Sequence, residues 1–336
     1  LALRFLDSFD HYTTPTQKWT TGGLGSISVA AARTGVRGYR NDFRPSAGPT
    51  ITIDPQGTWI IGVGFRQNGN FGGGALRILL TLDVGTIQGQ LAVNADGTLS
   101  LMRGAVVVAT SALSLLVNTF YYVELKHVID PAAGILEVRV NGAVWATFAG
   151  NTRATANSTA NVIQLGYDDA QVGCVQDFDD LYILDGNGGA PNNTYWGDTR
   201  VEALVPNGVG NYTEFTLLVG AATHWQATSE VPPDEDTSYV GSILVGDRDT
   251  YAMTDLGVAS ATINGIQVLI RAKEDVAGAA NVARMYRRAA TDNQGADIPI
   301  NTSYAYLREI MALDPIAAGA WTVAAVNAAE FGVRSR

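Results

Sequence analysis

The sequence predicts an all-β protein. Three observations carry this. Short apolar runs alternate with polar residues in both halves of the chain, as half-buried strands require. Clusters of Gly, Asn, Asp and Pro punctuate the runs. A helical period is almost absent, with one short candidate near the end.

In chain order, the clearest strand runs are Trp59 to Phe65, Leu76 to Leu82 and Gly265 to Arg271. In the last, Ile266, Val268 and Ile270 share one face because successive side chains alternate across a strand. Asn94-Ala-Asp96-Gly97 and Asn141-Gly142 offer residues that tolerate positive φ, so each should close a tight hairpin. The run Phe120 to Ile129 places Tyr121, Val123, Leu125 and His127 on one face and Tyr122, Glu124 and Lys126 on the other. Ile135 to Val140 and Ala143 to Phe148 flank Asn141-Gly142 as its two arms. Trp59 and Trp145 are expected between two sheets, where each would contribute on the order of 2–3 kcal/mol by burial. Asn301 to Leu313 suits helix and strand about equally. Thr322 to Phe331 is the helix candidate, with Thr322 as N-cap.

A chain of 336 residues divides most naturally into two cores. The expected division is a sandwich over residues 1–187, a linker or arm over 188–212, where Gly-Asn-Pro clusters flank a strand-like piece from Arg200 to Val205, and a smaller β-rich domain with one short helix over 213–336. The formal net charge of −10 and the absence of a long basic stripe argue against nucleic acid as a partner. The charged fraction of 16% is low enough that part of the surface should meet other protein. Asp7 and Asp10 interrupt the apolar start before a signal-peptide core could form, and Ala105 to Val117, the longest apolar stretch, is too short for a membrane span. No membrane partner is expected. The single cysteine, Cys174, forms no intramolecular disulfide and reads as a small buried hydrophobe.

Chemistry is sparse. Glycoside hydrolysis needs two carboxylates about 5–9 Å apart. No alternating Glu-x-Asp-x-x-Glu strand supplies them, and Glu124 and Glu137, beside Lys126 and Arg139, read as a solvated sheet face. His11, His127 and His224 lack metal-ligand spacing, and no Gly-x-Ser-x-Gly elbow is present. Gly72-Gly-Gly74 lacks the Lys-Ser/Thr of a phosphate loop and reads as a loop tip. The segment from Ala154 to Thr199 carries seven Asp residues and no Lys, Arg or His. Calcium is therefore the one ion the sequence admits, with Asp168, Asp169 and Asp177 as first ligands, although Asp also forms turns. No other cofactor is implied. Tyr167, Trp196 and Trp225 are candidates for stacking on a sugar ring; packing in a core or an interface is the competing use of such residues.

Asp7-Ser-Phe9-Asp10, the strand Phe120 to Ile129, the Asn141-Gly142 hairpin and the strand Phe178-Asp179-Asp180-Leu-Tyr-Ile183 together resemble the concanavalin A-like, laminin-G-type jelly-roll family over about half of the chain. The resemblance implies a jelly-roll β-sandwich in the N-terminal half. The ordered series Asp180 to Gly186, Asn192 to Asp198, Arg200-Val-Glu202, Pro206-Asn-Gly208, His224-Trp225, Glu230 to Asp234, Thr302 to Tyr304 and Ala320 to Val333 is similar to the C-terminal part of virion proteins of tailed bacteriophages. That resemblance implies a non-enzymatic structural component of a tail, fibre or head surface. Such a component would be made in the host cytoplasm, reside in the virion, and assemble with other virion proteins as a homo-oligomer such as a trimer. The alternatives carried with it are an adhesin that binds host surface glycan through the lectin-like sandwich and, behind that, a glycoside hydrolase.

Overall fold

The computed structural model describes residues 3–42, 46–72, 76–168 and 174–336. The chain forms two compact units, Leu1–Val201 and Glu202–Arg336. The first therefore extends past the expected boundary at 187 and takes in most of the expected linker.

The first unit is built from β1 (Leu3–Asp7), β2 (Ser26–Ser28), β3 (Gly38–Asn41), β4 (Ser46–Ala47), β5 (Thr50–Gln56), β6 (Thr58–Gly69), β7 (Leu76–Asp83), β8 (Thr86–Val93), β9 (Thr98–Arg103), β10 (Val106–Ser114), β11 (Phe120–Val128), β12 (Gly134–Val140), β13 (Ala143–Gly150), β14 (Ala160–Asp168) and β15 (Cys174–Leu184). Among the described residues these form two antiparallel sheets, the jelly-roll sandwich that the sequence predicts. The first sheet runs β13-β12-β11-β6-β15-β3-β2, with β1 on β15. The second runs β10-β9-β8-β7-β14-β4, with β5 on β14.

Pairing register explains which side chains fill the space between the sheets. Directly opposed residues share a face, so the pairs Trp59↔His127, Ile61↔Leu125, Val63↔Val123 and Phe65↔Tyr121 line the inside of the first sheet. Leu79, Leu91, Leu101 and Leu165 are likewise opposed in the second. All but Tyr121 are fully buried. Trp59 is locked by its indole N–H donating to the Ala160 carbonyl at 3.1 Å. Trp145 lies only half-buried, edge-on to Tyr121 with ring centroids 6.4 Å apart. His127 sits in this core, its Nδ1 2.9 Å from Thr81 Oγ1. A Cβ on Gly89 would stand 2.5 Å from its ring, so the glycine makes room for the imidazole. Both expected hairpins form, with Gly97 at φ +82° and Asn141 and Gly142 at φ +49° and +81°. Cys174 is buried, as expected, and its Sγ donates to Asn70 Oδ1 at 3.0 Å.

The second unit carries β16 (Pro206–Thr213), β17 (Leu217–Val219), β18 (Tyr239–Gly241), β19 (Arg248–Met253), β20 (Ile266–Ala272), β21 (Asn281–Arg288), β22 (Thr291–Gln294), β23 (Ile298–Pro299), β24 (Ala305–Met311), helix α1 (Val323–Asn327) and β25 (Glu330–Ser335). Its main sheet runs β16-β19-β25-β21-β22, with β23 on β21. A small core gathers Tyr286, Met311, Trp321, Ala325, Val326, Ala329 and Phe331.

Three sequence expectations change here. Thr322 does cap the helix, its Oγ1 accepting from Ala325 N at 3.0 Å, but the helix ends at Asn327 and Phe331 belongs to β25, where it opposes Tyr251 and Tyr286. Residues 200–205 form no strand. The strand is instead Pro206–Thr213, whose Gly and Asn residues read as turns in isolation but pair with β19. Within 301–313, Ala305–Met311 forms strand β24 and no helix occurs.

Candidate functional site

The outer face of the first sheet is covered by its own chain. On β6 the outward positions Gly62 and Gly64 leave a shallow trough, into which Tyr182 and Arg33 fit: a Cβ on Gly62 would stand 2.2 Å from the Tyr182 ring and one on Gly64 2.6 Å from Arg33 Cδ. Tyr182 donates to Glu124 Oε1, which also accepts from Gly197 N at 2.8 Å. Trp196 packs on Tyr182 with ring centroids 4.4 Å apart, and Arg139 lies 4.1 Å from the Tyr195 ring centroid. Glu124 is therefore fully buried, which corrects its reading as part of a solvated face. Burial and the neighbouring acidic groups push the Tyr182 phenol well above its ordinary range.

Two more acidic nodes fasten loops to this face. Asp180 accepts from Arg33 Nη1, Thr34 Oγ1 and Val201 N, each at 2.8 Å. Asp179 accepts from the backbone N–H groups of Arg33 and Thr34 at 2.7 and 3.0 Å. Burial, reinforced by the adjacent Asp180, pushes the Asp179 carboxyl up to about 8. Asp177 is gripped by Arg40, through Nε at 2.8 Å and Nη2 at 3.0 Å, by Arg66 Nη2 at 2.6 Å, and by the Asn68 amide.

This overturns Asp177 as a calcium ligand, since two guanidinium groups occupy the carboxylate a cation would need. Asp169 and the Asp168 side chain lie outside the described residues, as do Gly73 and Gly74. Among the described residues no group of three or more His, Cys, Asp or Glu side chains is placed to hold a metal ion. Trp196, packed on Tyr182 with its Nε1 buried, is not a free stacking platform. Trp225 belongs to the second unit, beside His224. Of the three aromatic candidates, Tyr167 stands in a different setting.

Tyr167 lies on the outer face of the second sheet, directly opposite Arg77. Arg77 opposes Ala92, Ala92 opposes Ser100, and Ser100 opposes Thr110. The adjacent row is Gln164, Leu80, Gln90, Met102 and Val107. Arg77 Nε donates to Gln90 Oε1 at 3.0 Å, and Gln90 Nε2 donates to the Gly104 carbonyl at 2.5 Å, which fixes the amide. Asn94 Nδ2 donates to Ser100 Oγ at 2.9 Å. Arg77 and Tyr167 are half-buried and Thr110 is exposed. These two rows contain a guanidinium, two amides, a phenol and two hydroxyls, and no Asp or Glu. Gln90, Gln164 and Ser100 are buried, so the groups this face offers to a ligand are Arg77, Tyr167 and Thr110, directional donors and a positive centre with no Asp or Glu in the same rows. Tyr167 was legible as a candidate; Arg77, Gln90 and Gln164 were not, because only strand register brings them to one face.

The second unit holds one oriented imidazole. His224 Nδ1 lies 2.5 Å from Asp249 Oδ2, an oxygen that also accepts from Tyr251 Oη at 3.1 Å. Burial pushes the Asp249 carboxyl above its usual range. The two residues are 25 positions apart, with no spacing motif to announce them.

No protein-family model matches the chain, and the comparison with curated proteins finds no match. Solved structures with a related sandwich include a cellulose induced protein, 14% identical over 54% of this chain and 96% of its own, with a TM-score of 0.39. An endo-β-1,4-glucuronan lyase from the fungus Trichoderma reesei is 10% identical over 54% of this chain and 95% of its own, with a TM-score of 0.40. A Trypanosoma rangeli sialidase in complex with an inhibitor is 14% identical over 48% of this chain and 27% of its own, with a TM-score of 0.36. These likenesses concern the sandwich alone. The named structures are a cellulose induced protein, a lyase and a sialidase rather than phage-particle components, and the expectations of a phage-particle role and of no enzymatic activity are not retained.

Proposed function

We propose that the first unit is a carbohydrate-directed sandwich that receives an anionic saccharide chain across the outer face of its second sheet. The observation that supports this reading is the Arg77–Gln90 hydrogen bond with Tyr167 directly opposite Arg77. A guanidinium held by an amide is oriented before ligand arrives, so less entropy is lost on binding. Its positive charge attracts a sugar carboxylate, while the Tyr167 phenol and the exposed Thr110 hydroxyl match sugar hydroxyls. Residues 196 and 197 pack over Tyr182 and Glu124 on the first sheet's outer face, whereas on the second sheet Arg77, Tyr167 and Thr110 remain partly accessible.

Glucuronan and alginate, both polyuronates, are the first ligands to measure by calorimetry, with a neutral glucan as control. Binding of the polyuronate alone is expected. Arg77→Ala should weaken it by about 10- to 100-fold, the loss of about 1.5–3 kcal/mol that accompanies a charged hydrogen bond. Equal affinity of wild type and Arg77→Ala, or equal binding of the neutral glucan, would defeat the proposal. The same mixtures, followed for new unsaturated uronate ends, report whether the bound chain is also cleaved by elimination.

A further inference from the structure

The aromatic pocket at the end of β1 takes no part in the site above. Phe5, Phe9, Tyr12 and Trp19 are buried there, with Trp19 edge-on to Phe5 and stacked on Phe9. They enclose one amine and one carboxylate. Lys18 follows the short 3-10 turn Pro15–Gln17, which returns the chain to Asp7, the last residue of β1. Lys18 Nζ lies 5.0 Å from the Phe5 ring centroid and 3.0 Å from Asp7 Oδ1, and the two side chains are 1% and 0% exposed. A nucleophile and an acyl carbon therefore meet where bulk water is excluded.

Hydrogen bonds give the two carboxylate oxygens different roles. Oδ2 accepts from Tyr12 Oη at 2.7 Å and Trp19 Nε1 at 2.8 Å, two fixed donors of the kind that stabilise a developing oxyanion. Oδ1 accepts from Lys18 Nζ and from Phe9 N at 2.9 Å, donors that favour its departure. Lys18 Nζ also donates to the Leu6 carbonyl at 2.7 Å, which turns one ammonium proton away from the carboxylate.

We propose that Lys18 and Asp7 condense to an intramolecular isopeptide bond. One proton passes from the ammonium to Oδ1 along their hydrogen bond, leaving a neutral amine beside a neutral acid, an exchange that a low-dielectric site makes cheaper than it is in water. Nζ attacks Cγ, and the carbonyl electron pair moves onto Oδ2, where Tyr12 and Trp19 hold it. A second proton then moves from Nζ to Oδ1, the Cγ–Oδ1 bond breaks, and Oδ1 leaves as water while the Cγ–Oδ2 carbonyl re-forms. The third ammonium proton stays on the amide nitrogen, facing the Leu6 carbonyl. One C–N bond forms, one C–O bond breaks and one water is lost, with no outside acid, base or oxidant. Holding the reacting groups in contact supplies the high effective concentration the step requires. The ion pair is the reactant state, and any chain that has not condensed keeps it with an ion pair's energetics. In the product, two buried charges are replaced by a neutral amide whose oxygen retains its two donors.

Intact-mass spectrometry of the full chain, folded and then denatured for measurement, tests this. A mass one water below that of the sequence is expected, and proteolysis should release a branched peptide joining residue 7 to residue 18. Lys18→Arg keeps a cation opposite Asp7 but removes the amine, and it should restore the full mass. Tyr12→Phe, which removes one of the two donors to Oδ2, should slow the loss of water roughly 100-fold. A wild-type chain at its full mass overturns the proposal. So does a loss of water that persists in Lys18→Arg or maps to a peptide without residue 18, which would place the dehydration elsewhere in the chain.

Discussion

Asp7→Ala should lower the stability of the first unit by about 3–5 kcal/mol, the cost of removing one partner from a buried ion pair. Asp7 and Lys18 are both buried, with Lys18 Nζ 3.0 Å from Asp7 Oδ1. The same carboxylate accepts from Tyr12 Oη at 2.7 Å, Trp19 Nε1 at 2.8 Å and Phe9 N at 2.9 Å. Burial alone would push the Asp7 carboxyl up, but the Lys18 ammonium, the nearby His11 and the hydrogen bonds from Tyr12 and Phe9 outweigh it and hold the group below its ordinary range. Removing the acceptor strips the countercharge from Lys18 and one acceptor from each of two aromatic donors that pack with Phe5 and Phe9. Thermal unfolding should show the first unit's midpoint falling by about 10 °C. Asp7→Asn combined with Lys18→Met should cost less than the sum of the two single changes, because the pair then leaves no lone charge. A midpoint within about a degree of wild type for Asp7→Ala, or strict additivity of the pair, would show that the cluster does not act as a unit.

What the sequence disclosed about this architecture was local. The Asn141-Gly142 hairpin was legible because two residues tolerant of positive φ separate two alternating runs, and turn chemistry needs no distant partner. The inward face of β11 was legible because alternation alone assigns it. Glu124, on the other face, was misread: its neighbours Lys126 and Arg139 suggest solvent, and its burial is imposed by Gly197 and Trp196, which arrive from more than seventy positions away. Asp177 was misread for the same reason, its arginines lying 137 and 111 positions distant. An acidic segment with no basic residue close by in sequence looks like a cation site until the fold delivers Arg33, Arg40 and Arg66 to it. Likewise the strand Pro206–Thr213 is built of residues that favour turns, and pairing with β19 overrides that preference. The candidate ligand face lay between these extremes. Tyr167 drew notice as an aromatic candidate, but its meaning depends on the opposed Arg77 and the adjoining Gln90, which two antiparallel pairings bring together.

The second large effect concerns pH, and its sign differs between groups. Burial lowers the His127 imidazole to about 4, from an ordinary value of 6.5, and lowers His11 to about 3. For each, the unfolded chain takes up a proton before the folded one. Their stability contribution is therefore present above about 6.5 and is lost as pH falls toward 4. For His127 alone the loss by pH 4 is about 3 kcal/mol. Asp179 works in the opposite direction. Its carboxyl is raised from 3.8 to about 8, so its contribution is fully present below 3.8 and is lost as pH rises through about 8. Between these limits the two effects oppose each other, and the wild-type profile alone will understate both. Substitution separates them. His127→Gln leaves a neutral amide among Thr81, Gly89 and Thr152, the groups that now surround the ring. Chemical unfolding at pH 7 and pH 4 should then show the variant losing about 3 kcal/mol less than wild type over that interval, whatever its absolute stability at pH 7. Parallel profiles would mean that His127 does not carry the acid dependence; because His11 lies in the Asp7–Lys18 cluster, Asp7→Ala at the same two pH values would then show whether that cluster does.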